Sequence, residues 1–457
     1  MTGLTEALAM FVVESYEAAI PVAARENAVK GITDTLAVIL AGAWSEAAAP
    51  MLAYIDSDGV VPIVGTNRRT TPELAALANG TFGHALDFDD VLTMMPAHPS
   101  VVIVSALLAG RPEATSGRDF VTAYSIGIEV GARVGLGIGL GHTHRGFHGT
   151  GTLTIFSAAA ALARLHRLTI TQTRNLLGLC TSMASGVQRN FGTLTKPLHA
   201  GLAASHALAA LRMTRAGITA APDGLEGPAG FFAAYGVDAS DPHKAAAALG
   251  NPWVLVEPGL ALKKFACTYS AHRGMDALMQ LQARHVFVAD DVERLDCLMP
   301  PGGMRVLTFP RPTNGHEARF SMEYALAAGL RDGGYSLATF DDARVTRPDL
   351  IPLFERIHVR EDQSCRGNDP DFEHQSQGAR GFVIVRVVLG NGVSFSHRVD
   401  VPPGHPKRPL TWDDLACKFD DCATPVLPDR HRNRALALLQ QLDTVENMAE
   451  LEELLLC

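Results

Sequence analysis

The segment 84–100, HALDFDDVLTMMPAHPS, carries the residue types best suited to chemistry. It contains three carboxylates followed by an isolated His-Pro pair, namely Asp87, Asp89, Asp90, His98 and Pro99. The next twenty residues after the acids, 91–110, contain no Asp, Glu, Lys or Arg, so we expect the acids to border a buried segment. A buried charge costs stability unless it has a partner or a task. The pattern therefore favours acid–base chemistry or substrate orientation.

Three interpretations of the D-x-D-D pattern stay open. A divalent metal would need several oxygen ligands, and the sequence has no second acidic motif to complete such a set. A solvated helix end is the second interpretation, and a catalytic or orienting acid is the third. Asp87 is the preferred catalytic candidate because the apolar Leu86 and Phe88 flank it. We expect His98 to lie outside regular helix because a proline follows it.

A second histidine segment, HTHRGFHGTGTLTIF, covers residues 142–156. His148 precedes a Gly-Thr-Gly-Thr turn that leads into an apolar run, which predicts a helix. Backbone N–H groups at such a helix start can hold a carboxylate. The alternative is an ordinary N-cap turn closed by Thr150 or Thr152, and the local sequence favours that alternative.

A third segment, FGTLTKPLHAGLAA at 191–204, combines a lysine with a predicted helix start. Pro197 suits the first helical position, which places Lys196 at the positive end of the helix dipole. A cation there is unfavourable unless an anion offsets it, so the pattern indicates a clamp for an oxyanion or carboxylate. Further cationic side chains follow in LKKFACTYSAH, and they equally fit a basic surface: Lys263, Lys264 and His272.

The elements that must position these residues are mostly helices. Alanine-rich apolar stretches such as 152–168 and 199–217 predict helices buried on most faces. We therefore predict a large all-helical domain over 1–263 and 407–457. The β-rich pieces between them, with Asn391-Gly392 as a type I′ hairpin turn, predict a smaller α+β domain over 264–406, inserted as a lid.

Composition excludes several classes of function. The 457 residues carry 39 Lys plus Arg against 48 Asp plus Glu, and a net charge of −9 argues against a nucleic-acid or membrane-surface binder. The seven cysteines never form CxxC, which favours reduced thiols in the cytoplasm and no zinc site. No secretory signal is recognisable, and prolines interrupt the uncharged run 91–110, so we expect no export and no membrane span. Nucleotide, hydride-transfer and serine-hydrolase motifs are missing from the sequence.

Taken together, six segments resemble the MmgE/PrpD family: GHALDFDD with a following HPS, FHGTGTL, FGTLTKPLHAGLAA, LEGPAGFFAAYG, KKFACTYSAH and HEARFSMEYALAAGL. Their order and spacing cover nearly the whole chain. The resemblance implies a mainly α fold with a large helical domain, an inserted α+β lid, a homodimer, and an active site between the two domains.

The resemblance also implies site residues, by motif: Asp87, His98, His148, Lys196 and Lys263. Lysines would hold carboxylates, His98 and His148 would be base and acid in unassigned order, and Asp87 would orient a histidine. Lys264 and His272 join Lys263 as substrate-binding candidates. The family's chemistry implies neither metal nor organic cofactor.

The implied function is proton abstraction next to a carboxylate of a small di- or tricarboxylate. A hydro-lyase of the 2-methylcitrate dehydratase type is the leading hypothesis, and an iminodisuccinate-like epimerase is the alternative. A cis-aconitate-type decarboxylase is disfavoured because Thr268 stands where that enzyme has a histidine, and because Val91, Ala266 and Tyr269 depart from common family residues. A non-catalytic carboxylate-binding protein is the remaining hypothesis.

Overall fold

The computed structural model describes residues 3–368, 372, 375–376 and 378–457. The chain divides into two compact units, each treated by itself below. The helical unit comprises Met1–Ala85, Asp89–Leu262 and Thr411–Cys457, and the mixed unit comprises Leu86–Phe88 and Lys263–Leu410. The fold is mainly α, as predicted. The role of residues 264–406 as a lid stays a prediction.

Sixteen described helices belong to the helical unit. They are α1 (Leu4–Glu14), α2 (Val22–Gly42), α3 (Ala48–Tyr54), α4 (Pro72–Ala85), α5 (Pro99–Gly110), α6 (Gly117–Ile138), α7 (Leu140–His144), α8 (Gly149–Thr152), α9 (Thr154–Leu165), α10 (Ile170–Thr181), α11 (Thr195–Arg215), α12 (Phe231–Tyr235), α13 (Pro242–Ala246), α19 (Trp412–Ala423), α20 (Asp429–Gln440) and α21 (Met448–Leu454). One small β-ladder, β1 (Val61–Pro62) with β2 (Arg69–Thr70), interrupts the all-helical pattern expected here.

The core of the helical unit lies along the apolar helices. In α5 every residue from Pro99 to Ala109 is buried, and α9 is buried from Thr154 to Ala163. Helices that are apolar on most faces must be buried on most faces. The burial predicted from the sequence pattern is therefore observed. No helix in the described part of the chain is both long enough and apolar enough to cross a membrane.

Helices α4 and α11 pack with their backbones in close contact. A Cβ atom added to Gly80 would lie 2.7 Å from the Cα of Gly201, and one added to Gly201 would meet the carbonyl oxygen of Leu77. Only glycine leaves room for this approach. The contact matters because α4 ends next to one set of candidate residues and α11 begins with another.

The mixed unit is built on a four-stranded sheet with the order β4-β3-β5-β6. Its elements are α14 (His272–Arg284), β3 (Val292–Met299), α15 (Gly315–Ala318), α16 (Met322–Asp332), α17 (Asp342–Val345), α18 (Ile351–Phe354), β4 (Ile357–Glu361), β5 (Val383–Leu389) and β6 (Ser394–Val399). Strand β4 pairs parallel with β3, whereas the β3–β5 and β5–β6 pairs are antiparallel.

The β5–β6 hairpin is present as predicted, but its turn is not type I′. The N–H of Gly392 donates to the carbonyl of Leu389 at 2.9 Å, and the N–H of Leu389 donates to the carbonyl of Val393 at 2.8 Å. Gly392 has φ +82°, whereas Asn391 lacks the positive φ that a type I′ turn requires. The residue in the left-handed conformation is therefore Gly392, which follows the turn. This is the bulge geometry of a longer hairpin loop.

Candidate active site

His98 lies at the N-cap of α5, with φ −115° and ψ 81°, outside the helix as predicted. The loop before it is fixed by backbone hydrogen bonds, including one of 3.0 Å from the N–H of Leu92 to the carbonyl of Ala97. The N–H of His98 donates to the Thr150 hydroxyl at 3.2 Å. The start of α5 is thus tied to the start of α8, where the second histidine segment lies.

Asp89 is the acid that contacts His98. Its Oδ2 atom lies 2.8 Å from the Nδ1 atom of His84 and 3.4 Å from the Nδ1 atom of His98. The side chains of Asp89 and His84 are fully buried, and that of His98 is 12% exposed. The His84 and His98 rings lie 4.6 Å apart between centroids. One carboxylate oxygen therefore forms a hydrogen bond with the His84 imidazole and lies within ion-pair distance of the His98 imidazole.

His148 lies at the N-cap of α8, and its Nδ1 atom is 3.0 Å from the Nδ1 atom of His199. The His84 ring stacks on that of His148, with centroids 5.6 Å apart. The predicted cap by Thr150 or Thr152 is wrong, because α8 has no side-chain cap. We call the following residues the imidazole cluster: His84, Asp89, His98, His148, Lys196 and His199.

Lys196 is the second residue of α11 and is 5% exposed. The helix begins two residues before Pro197, but Lys196 still lies in its first turn, at the positive end of the dipole. Its Nζ atom lies 5.6 Å from the centroid of the Phe191 ring, which packs edge-on against His148. His199 follows Lys196 by three residues and shares its face of the helix.

Burial sets the protonation of the cluster. It lowers the pKa of His84 to about 3 and that of His199 to about 4, with the charge of Lys196 acting in the same direction. Burial also lowers the pKa of His148 well below 6.5. For Asp89, burial alone would raise the pKa, but the imidazoles of His84 and His98 hold it well below its usual range. At pH 7, Asp89 is thus ionised beside a neutral His84 that donates its Nδ1–H.

Asp90 occupies a separate buried position. Its Oδ2 atom accepts a 2.7 Å hydrogen bond from Ser100, whose hydroxyl lies 2.6 Å from that of Tyr124. Burial raises the pKa of Asp90 to about 8, and the negative charges of Asp89 and Asp34 add to the effect. The neighbouring acids Asp89 and Asp90 therefore hold opposite protonation states at neutral pH.

Asp87 belongs to the mixed unit, where it forms an ion pair with Lys263. The Nζ atom of Lys263 donates to Oδ1 of Asp87 at 2.5 Å and to its carbonyl oxygen at 2.9 Å. Asp87 has φ +49°, a left-handed conformation that Asp tolerates better than most residues. Lys264 is exposed, and the buried His272 lies 3.3 Å through Nε2 from the carbonyl of Cys267. Substrate contacts by these residues stay a prediction.

The structure thus brings together His98, His148 and Lys196 from the predicted set. The sequence analysis missed His84 and His199 as site residues, and it preferred Asp87 to Asp89 within the D-x-D-D pattern. Signals for the missed residues were present, because His84 opens the acidic segment and His199 follows Lys196 by three residues. Within the described residues, His84, Asp89 and His98 also form a group that could hold a metal ion, with ligand atoms within 4.8 Å of one another. The direct 2.8 Å hydrogen bond between His84 and Asp89 uses two of those atoms.

Family models agree with this arrangement of segments. The MmgE/PrpD N-terminal domain matches residues 6–242, and the MmgE/PrpD C-terminal domain matches residues 265–444. This chain belongs to the MmgE/PrpD family. The family resemblance inferred from the six segments is therefore confirmed, and the imidazole cluster lies within the N-terminal domain of the family.

Curated relatives of this MmgE/PrpD protein carry one activity in their names. Cis-aconitate decarboxylase of Homo sapiens is 29% identical over 399 residues, covering 85% of this chain and 80% of the relative. The Mus musculus enzyme of that name is 28% identical over 400 residues, covering 85% and 79%. Cis-aconitate decarboxylase of Aspergillus terreus strain NIH 2624 is 25% identical over 472 residues, covering 96% and 93%.

Proposed function

We propose that this protein is a lyase that acts on a small polycarboxylate by moving a proton at a carbon next to a carboxylate. The observation that carries the proposal is the imidazole cluster. It combines two histidines, His98 and His148, with a buried lysine at the start of a 21-residue helix. These are the groups that such a reaction needs, because a carbanion next to a carboxylate requires a base, an acid and positive charge.

Each group has a defined task in this proposal. Lys196 and the N-terminal N–H groups of α11 attract a substrate carboxylate and the negative charge that develops in the transition state. His98 and His148 exchange protons with the substrate. Lys263, Lys264 and His272 stay predicted carboxylate-binding residues, and Lys263 forms an ion pair with Asp87 within the mixed unit. No step in this scheme calls for a metal or an organic cofactor.

The bond that breaks distinguishes two candidate reactions. Loss of carbon dioxide from a cis-aconitate-like tricarboxylate is supported by the names of the relatives. Loss of water, as in 2-methylcitrate dehydratase, is favoured over decarboxylation because Thr268 stands where the resemblance gives the decarboxylase a histidine. Val91 also stands where a hydroxyl residue is common in the family. Epimerisation without loss of any group would move the same proton. A homodimer and a cytoplasmic location accompany the proposal as predictions.

The test is mass spectrometry of candidate substrates incubated with the purified protein in deuterated water. The panel contains cis-aconitate, 2-methylcitrate and amino-dicarboxylates. Loss of carbon dioxide with one deuterium gained identifies a decarboxylase, because the carbanion left behind takes a proton from solvent. Loss of water identifies a dehydratase, in which deuterium appears only in recovered substrate whose abstracted proton has exchanged. Uptake without mass loss identifies an epimerase and refutes the lyase proposal.

Two variants test whether the deuterium uptake depends on the imidazole cluster. His98→Gln removes a proton-exchanging group and should abolish deuterium uptake. His206→Gln is the matched control on α11, since the Nδ1 atom of His206 lies 2.9 Å from the carbonyl of Met183 and the residue lies outside the imidazole cluster. Equal uptake by both variants would remove His98 from the mechanism. Stabilisation by a compound that shows no turnover would favour a carboxylate-binding protein.

A further inference from the structure

The two proton-exchanging histidines have different partners at Nδ1. His98 faces the carboxylate of Asp89 at 3.4 Å, whereas His148 faces the imidazole of His199 at 3.0 Å. We propose that Asp89 is the positioning residue of His98, fixing its tautomer and its orientation, and that His84 holds Asp89 in place for this task. The inference rests on the proposed function and deepens it.

The geometry defines which nitrogen of His98 reacts. A carboxylate accepts hydrogen bonds, so the Nδ1 atom that faces Asp89 carries hydrogen. In the neutral ring the lone pair is then on Nε2, at the opposite edge, directed away from the carboxylate. When Nε2 takes a proton from a substrate carbon, the imidazolium that forms lies next to a carboxylate that stays ionised. The electron pair of the broken C–H bond remains on the substrate, and Asp89 neither gains nor loses a proton.

His84 completes the arrangement. Its Nδ1–H donates to the same Oδ2 atom at 2.8 Å, and the pair is fully buried. A neutral donor stabilises the anion without cancelling its charge, so the attraction remains available to His98. His84 also packs between the rings of His98 and His148, with centroids 4.6 and 5.6 Å away. Loss of the His84 ring would remove the hydrogen bond that holds Asp89 and the packing contacts of His98 and His148.

The other charged and titratable groups around this pair come from three segments. Asp90 follows Asp89 in the loop, His148 lies at the N-cap of α8, and α11 contributes Lys196 and His199. At neutral pH burial keeps Asp90 protonated and His148 and His199 uncharged. Asp89 is therefore the ionised carboxylate that faces His98 within the imidazole cluster.

The first experiment measures His98 without any substrate. Proton–nitrogen correlation spectra of protein carrying nitrogen-15 histidine report which ring nitrogen of His98 carries hydrogen, in the full-length protein and in Asp89→Asn. We expect the Nδ1–H form in the wild type and more of the Nε2–H form in the variant, because the asparagine amide can donate to Nδ1. His206, whose Nδ1 atom lies 2.9 Å from the carbonyl of Met183, is the internal control and should keep its tautomer. An unchanged His98 tautomer would overturn the proposal.

The second experiment measures turnover with the compound that the panel identifies. Asp89→Asn should lower kcat by about 100-fold or more, with KM changed less than about threefold, because Asp89 contacts imidazoles and leaves substrate binding intact. A raised KM at unchanged kcat would contradict the positioning role. If the His98 tautomer changes in Asp89→Asn and no panel compound reacts, the proposed function fails and the positioning role stands.

Two variants at His84 test the proposal even if Asp89→Asn fails to fold. His84→Asn places an amide N–H close to the position of Nδ1 and should retain kcat within about tenfold. His84→Ala removes both the hydrogen-bond donor and the ring, so its kcat should fall about as far as that of Asp89→Asn. Equal activity of these two His84 variants would show that Asp89 needs no donor and would overturn the role of His84.

Discussion

Replacement of Asp90 by asparagine should stabilise the protein at neutral pH, although it alters a fully buried polar residue. Burial raises the pKa of Asp90 from 3.8 to about 8 in the folded protein. Between these values the folded state holds a proton that the unfolded state has released. Linkage then requires the free energy of unfolding to fall as pH rises through this window. Asparagine does not titrate in this range, so the free energy of unfolding of the variant lacks this decrease with pH.

The magnitude follows from the pKa shift. One pKa unit corresponds to about 1.4 kcal/mol, so protonating Asp90 costs the folded protein about 4 kcal/mol at pH 7 and about 1.5 kcal/mol at pH 5. The amide brings a cost of its own, because one of its atoms takes the position of Oδ1, which has no hydrogen-bond partner. A buried unsatisfied group costs about 1–3 kcal/mol. The variant should therefore gain about 1–3 kcal/mol at pH 7 and close to nothing at pH 5.

Urea unfolding followed by far-UV circular dichroism at pH 5, 6, 7 and 8 tests this expectation. The matched control is Asp34→Asn, which removes the negative partner of the buried Lys418, 2.6 Å away. That control should be less stable than wild type by about 3–5 kcal/mol, since it leaves a buried cation without its counter-charge. A difference between Asp90→Asn and wild type that does not grow from pH 5 to pH 8 would refute the assignment of a protonated Asp90.

Three further expectations concern packing, binding and metal. Gly201→Ala should lower the free energy of unfolding by about 1–3 kcal/mol, because its Cβ meets the carbonyl of Leu77. Urea unfolding measures this, and Gly334→Ala, whose Cβ would meet nothing within 4 Å, shows whether loss of glycine alone matters. Lys196→Ala should weaken tricarboxylate binding at least tenfold in thermal-shift titrations, and unchanged affinity would exclude its charge-holding role. Dialysis against EDTA should leave turnover unchanged, and a loss restored by one divalent metal would assign the His84–Asp89–His98 group to metal binding.

Local chemistry was sufficient to predict the backbone of the site. Pro99 excludes His98 from helical geometry, and the structure places His98 at an N-cap. Likewise, an uncharged apolar run predicted burial, and α5 is buried along nearly its whole length. These features depend on a few neighbouring residues, so a sequence contains all the information that they require.

The hairpin turn illustrates where local rules failed. Asn391-Gly392 favours a two-residue turn when strand pairing begins directly on either side of it. Here the register pairs Val388 with Ser394, which leaves a longer loop and moves the left-handed conformation to Gly392 alone. The register is set by the whole β5–β6 ladder, which a dipeptide preference does not include.

The family, the helical character of the chain and the chemical types present at the site can all be predicted from the amino-acid sequence. The partner of each group, in contrast, depends on the folded structure. Asp87 pairs with Lys263, 176 residues away, whereas Asp89 pairs with His84, and His148 meets His199 across 51 residues. Partner choice, burial and therefore protonation depend on contacts between distant segments, and those contacts exist only after α4, α5, α8 and α11 have packed together.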